Sequence, residues 1–586
     1  MLSQSGRVPI TEGHPMASFV EILIALAPLV AIAVLMVGFF WPATRAMPVA
    51  WLVAIAAGVF GWGMDFQWIT AATINGFITA TQILWIVFGA ILLLYTLKQT
   101  GAFDVISQGF AAISDDRRVQ VVLLVFLMGS FVEGAAGFGT PAAVVGPLLV
   151  GLGFPPLAAV VVALTGNLMA ITFGAVGTPL IIGMQDTFAS SSAIQSTVTT
   201  QTPFSIAGWV AEIGTWAATY HVIVGIAVPF IGVAMMTRFF GEERSIRPAL
   251  SVLPLCLFAW ASFAVPYWLT AAFLGPVFPG LIGALVGLAL TVSALRLGYF
   301  RPDDQWNFES PAAWPDHWVG DIEPGETADR DGAVATDGGT TESMPLWKAW
   351  TPYALLVVVL VGTRVVDPIS SFLQSNGVLV WNDILGTGLT NDISMLYLPG
   401  ASFVFISLLT IGLHRMNGGE VKAAWRETFE KIASPVVALL FAVGTVQVML
   451  QSGAATGTDS MLIVLSQATA NLAGGIYPLF ASLVGAFGAF LAGSNTVSDV
   501  LFSTFQYGVA DQIGTPKTIV LGAQAVGGAI GNLIAVHNVV AALAVVGLVG
   551  EEGRVIRLEL IPLAYYAAFT GILTLLFSYL LFPGVF

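Results

Sequence analysis

From residue 19 onward, long apolar runs alternate with short polar or charged clusters. A helix needs about 20 mostly apolar residues to cross the ~30 Å hydrocarbon layer of a bilayer. Twelve runs meet or approach that length: 19–41, 48–62, 81–97, 156–184, 219–240, 249–269, 277–297, 350–365, 396–413, 434–450, 516–536 and 560–582. Residues 1–18 form a tail before them, and 66–80 reads as a further half-span. The pattern predicts an all-α polytopic membrane protein, because helices satisfy their own backbone in lipid.

Lys and Arg stay preferentially on the cytoplasmic side. If the runs simply alternate, Arg45, Lys98, Arg117, Arg118, Arg238, Arg244, Arg247, Arg415, Lys422, Arg426, Lys431, Arg554 and Arg557 share one face. Loops 185–218, 366–395 and 451–515 on the other face carry none. This places the chain in a cell membrane as a multi-pass protein with both termini outside.

Composition sharpens this. Apolar residues make up 57% and charged residues 9%, against about 25% charged in soluble domains. The first partner is therefore the lipid bilayer. The net charge of −14 lies largely between 300 and 347, where eleven acids face only Arg301 and Arg330. That stretch is rich in Gly, Pro and Thr and is predicted to be a disordered cytoplasmic loop. It divides a first membrane half, 19–299, from a second, 348–586. No nucleic-acid partner is expected. The lone Cys256 excludes an intramolecular disulfide, and without CxxC or HExxH pairs no metal or other cofactor is expected.

Segments 119–153 and 477–508 are apolar but interrupted by Gly, Pro, Ser, Thr, Asn and an acid. Each is either two short spans or one re-entrant hairpin; non-helical backbone at membrane depth is tolerated where it lines a polar cavity, which favours hairpins. The interruptions read GSFVEGAAGFGTP (129–141) and GAFGAFLAGSNTVSD (485–499). Aligned, Gly129, Phe131, Gly137 and Thr140 match Gly485, Phe487, Gly493 and Thr496. QTGA at 99–102 answers QSGA at 451–454, and GNLMAI at 166–171 answers GNLIAV at 531–536. Three matches in one order, at offsets growing only from 352 to 365, mark a duplication. Span counting gives the halves opposite orientation. An inverted repeat with broken helices in matching positions is the signature of a secondary transporter that binds its substrate between the breaks.

The breaks expose helix-end N–H groups that attract anions. Gly134, Gly137, Gly139 and Gly493 let a ligand touch backbone, and Thr140, Ser494, Asn495 and Thr496 add hydroxyl and amide partners. Such a site suits a small carboxylate or hydroxy acid. Glu133 and Asp499 are the only acids inside the breaks; acids at membrane depth are usually placed for function, making both candidates for a coupling proton. Helix capping is the plainer reading. Asn167 and Asn532, equivalent in the repeat, either bind substrate or tie the broken helices together. His537 is a structural residue or a proton relay. Lys98 and Arg364 stand at span ends, where they neutralise an anion or snorkel to the interface.

These residues carry a resemblance. The chain resembles the L-lactate permease family in GSFVEGAAGFGTP (129–141), VGLGFPPL (150–157), LAGSNTVSDVLF (491–502), GAQAVGGAIGNLIAVHNV (522–539) and AVVGLVGEEG (544–553). The resemblance implies proton symport of L-lactate and related 2-hydroxymonocarboxylates such as glycolate, not an enzyme. It also implies paired re-entrant hairpins in which an SNT turn such as 494–496 contacts substrate or ion, and an elevator-like movement of a transport unit against a scaffold. A sodium-coupled carboxylate or dicarboxylate carrier, a passive channel, and a hydrolase built on Ser494 and His537 without the usual GxSxG elbow are the rivals. Whether the protein forms a homodimer is open at this stage.

Overall fold

The computed structural model describes residues 18–319 and 344–586, apart from 40, 112, 138, 139 and 549. Within these residues, twelve helices are long and apolar enough to cross a membrane. Most coincide with the predicted runs, but the lengths differ. The half-span at 66–80 is part of one 34-residue helix, Phe66–Gln99, and its repeat partner Gly418–Thr456 has 39 residues. The run at 396–413 forms only Pro399–His414. The run at 516–536 stops at Gly531. In their place, Arg117–Ala136 and Met461–Leu479 reach spanning length where a hairpin arm and a loop were expected.

The two long helices cross antiparallel. Asn75 bonds Gln447 at 3.1 Å, Phe77 meets Phe441, Phe88 meets Phe429, and Gln99 bonds Glu427 at 2.7 Å, so one number rises as the other falls. Each leads into its repeat's break, so their opposition is the inversion of the repeat seen directly. Small residues allow the contact. A Cβ on Gly76 would stand 2.8 Å from the Gly444 Cα, and one on Gly400 would stand 2.5 Å from the Trp85 carbonyl oxygen. A short antiparallel strand pair, Val378–Trp381 with Asn391–Ser394, docks beside Phe66–Gln99 through Gln82 to the Asp392 carbonyl at 2.9 Å.

The expected disordered loop is corrected over residues 300–319. Arg118, fully buried, donates to Asp116, to the carboxylate and carbonyl of Asp304, to the Pro248 carbonyl and to Ser251. The Trp306 backbone N–H donates to Asp116 at 3.0 Å, and Trp314 and Trp318 are buried. Tryptophan burial outweighs the acidic composition, because each acid stays at the surface while the indoles dock on the bundle. The Arg118 hydrogen bond holds the Asp304 carboxyl below its ordinary range. The remaining part of that loop, 320–343, lies outside the described residues.

Candidate functional site

Each segment expected to break does so at a glycine. In the first, helix Gly129–Ala136 ends at Gly137, whose φ of +61° and ψ of −158° lie where side chains are strained. Thr140–Gly151 follows. In the second, Ala481–Ala492 ends at Gly493, with φ +62°, and Ser494 caps Asn495–Ile513. The helices after the hairpins break too. Pro156–Gly166 and Leu168–Ile171 are separated at Asn167. Lys517–Gly531 and Val536–Ala544 are separated by 532–535.

The breaks converge on one cavity of about 20 Å³. Glu133, Gly137, Ile171, Gly174, Ala175 and Pro179 line it from the first repeat, and Gly493, Ser494, Asn495, Thr496 and Asn532 from the second. It is smaller than the 300–1,000 Å³ typical of drug-sized ligands. Glu133 is buried and accepts a hydrogen bond from Asn167 Nδ2 at 3.1 Å. Asn167 thus holds the acid from behind. Asn495 is also buried, packed over Gly528, and neither atom of its amide has a hydrogen-bond partner among the described residues. An orphaned buried amide costs about 1–3 kcal/mol. The first turn of Asn495–Ile513 opens at the same point, adding helix-end N–H groups.

The other predicted residues are placed less uniformly. Asp499 is buried away from the cavity, with Gln524 donating to it at 3.3 Å, and its Cβ is against Gly183 of the other repeat. Gly139 and the side chains of Thr140 and His537 lie outside what is described. Arg364 stacks on the Tyr397 ring at 3.7 Å and donates to its carbonyl at 2.7 Å, in a larger vestibule. Lys98 lies over the Tyr95 ring.

Sequence reasoning missed the turn at 174–177, which forms one wall. Ala175, Val176 and Gly177 have φ of +44°, +52° and +81°, and a Cβ on Gly137 would stand 3.0 Å from the Ala175 Cβ. The signal was present: GAVGTP at 174–179 echoes GFGTP at 137–141. Asn538 was missed as well; it donates to Asn532 Oδ1 at 3.3 Å and to the Gly493 carbonyl at 3.4 Å, joining the second hairpin to its broken helix.

The L-lactate permease family model matches residues 21–581. The chain belongs to the L-lactate permease family. Among this family member's relatives, the glycolate permease GlcA of Escherichia coli is 29% identical, over 96% of both chains. An L-lactate permease of Bacillus subtilis is 28% identical, covering 81% of this chain and 80% of its own. Among solved structures, MtrF of Neisseria gonorrhoeae, titled as illuminating a class of antimetabolite efflux pumps, aligns with a TM-score of 0.43 at 14% identity, covering 88% of this chain and 86% of its own. The family and the apolar helices make this a multi-pass membrane protein.

Proposed function

We propose that the protein is a secondary transporter that imports L-lactate and related 2-hydroxymonocarboxylates, glycolate among them, by symport with a proton. The orphaned Asn495 amide in a cavity shared by both repeats carries this reading. The carboxylate docks on the first turn of Asn495–Ile513, where Ser494, Asn495 and Thr496 supply neutral donors and the helix end supplies partial positive charge. Asn532 meets the hydroxyl. Glu133 carries the proton, and Asn167 keeps its carboxyl facing the cavity. With Glu133 protonated, a carboxylate can enter without meeting a second negative charge at close range. The broken segments act as re-entrant hairpins in a unit that slides against the long antiparallel helices. The family assignment and the names of the relatives support the substrate class.

The test is lactate uptake into proteoliposomes with an imposed proton gradient, and with glycolate and succinate as competitors. Accumulation should follow the gradient, and glycolate should compete while succinate does not. Uptake that ignores the proton gradient but requires sodium would overturn the coupling.

A further inference from the structure

Glu559 is a buried acid that the reading above does not use. It stands at 0% exposure in Glu552–Leu576, the last long helix of the second repeat. Both its carboxyl oxygens lie 3.1 Å from the Thr165 hydroxyl. Thr165 is two residues before Asn167, whose amide holds Glu133. One acid from each repeat therefore grips the same helix break. A second grip lies seven residues further along the same helix. There the Tyr566 hydroxyl meets His221 Nδ1 at 2.7 Å, and His221 Nε2 meets the Thr172 hydroxyl at 2.7 Å.

The partners suit an acid that is neutral in this arrangement. A sealed carboxylate needs a cation or several donors to offset desolvation, and one hydroxyl offsets only a small part of that cost. None of the described ion pairs includes Glu559. The Thr165 hydroxyl is also 3.2 Å from the Val161 carbonyl. It can donate there while its oxygen accepts the proton of Glu559. The other titratable groups on the helix and its neighbours are Glu552, Arg554, Arg557, Tyr565, Tyr566 and Tyr579, then Glu212, Tyr220 and His221, Lys517 and Tyr477, besides His537, whose side chain lies outside the described residues. Among the described residues none of these is hydrogen-bonded or ion-paired to Glu559; Lys517 pairs with Asp511 and Tyr477 with Gln506.

We propose that Glu559 is a second proton-binding site of the transport cycle, with Thr165 the positioning residue that couples its charge to the break beside Glu133. This rests on the proton-symport reading. Release is balanced. The O–H bond of Glu559 breaks and the proton passes to water on the face rich in Lys and Arg, about 10 Å away along seven residues of helix. The Thr165 O–H then rotates from the Val161 carbonyl to the new carboxylate, and the last turn before Asn167 loses that bond.

Two protons bound per cycle make uptake fall off with rising external pH more steeply than one does. In proteoliposomes, Glu559→Gln, a neutral mimic of the acid, should keep lactate exchange within about twofold of wild type. It should lose about tenfold or more of gradient-driven accumulation and flatten the pH profile. Thr165→Val should shift the midpoint of the profile; a merely structural bond would lower thermal stability and leave the midpoint in place. Infrared spectra of wild type should contain a protonated carboxyl band that Glu559→Gln lacks, a readout that holds even if the variant is inactive. Wild-type uptake indifferent to the proton gradient would sink the symport reading and this site together. A responsive wild type with an unchanged slope in Glu559→Gln, or no band lost, would sink this site alone.

Discussion

Four residues before its left-handed glycine, the first break carries Glu133, and Asn167 donates to that acid; four residues before Gly493, the second break carries Ala489. The second break instead presents Ser494, Asn495 and Thr496, with Asn538 bracing Gly493 and Asn532. The backbone plan of the two is the same: a helix, a glycine at φ near +60°, and a new helix. Duplication preserved this plan, while the glycine ψ, −158° against 25°, and the side chains diverged. One break became acidic and the other neutral and donor-rich. Under the proposed function, that division puts the proton carrier and the anion's docking point on opposite walls of one cavity, so the protonation of one would control the electrostatic cost of filling the other.

The largest expected effect comes from erasing the difference. Glu133→Gln should abolish gradient-driven accumulation while sparing exchange of lactate, measured as counterflow. Moving the acid by adding Ala489→Glu to that variant should not restore accumulation, because Asn532, the repeat equivalent of Asn167, is tied to Asn538. Restored accumulation would mean that the breaks are interchangeable. A smaller, graded effect separates the glycines. An alanine costs about 1–2 kcal/mol at Gly493, whose ψ of 25° is ordinary left-handed helix, whereas Gly137, with ψ of −158°, lies where only glycine is at ease, and an added Cβ there meets Ala175 at 3.0 Å. Gly137→Ala should therefore slow transport more than Gly493→Ala, read as initial rates at matched expression.

The smallest effect lies at the entrance to the first break, where Asp304 accepts from Arg118 just before helix Arg117–Ala136. Its carboxyl is held below the ordinary range by that bond. The stabilisation is present above the unfolded carboxylate range and fades as pH falls through the lowered value. Asp304→Asn should lower the thermal midpoint slightly at neutral pH and not at all in strong acid. Because Asp304 is largely exposed, salt should blunt the difference.

Much of this asymmetry was legible in the chain. An acid and three glycines inside an apolar run announce a polar break at membrane depth, and the matched offsets announce its twin. Three features were hidden for physical reasons. Ala175 and Val176 have no intrinsic taste for left-handed backbone, so beyond the faint GAVGTP echo it is packing against Gly137 and the Pro276 carbonyl that fixes their turn. Trp306, Trp314 and Trp318 were masked by surrounding acids, whose charge governs composition but not docking. Asp499 looked equivalent to Glu133 because spacing places it near the break, yet its position after the cap turns it toward Gly183 and Gln524.

The crossing at Gly76 and Gly444 leaves no cushion of side chains between the two longest helices. A joint of that kind behaves as a rivet: it passes on a push but cannot absorb one. Any displacement of the cavity walls must then be taken up at the bends farther along each repeat. A bulky residue wedged at the rivet would cripple turnover from a distance, with the ligand's own contacts left intact.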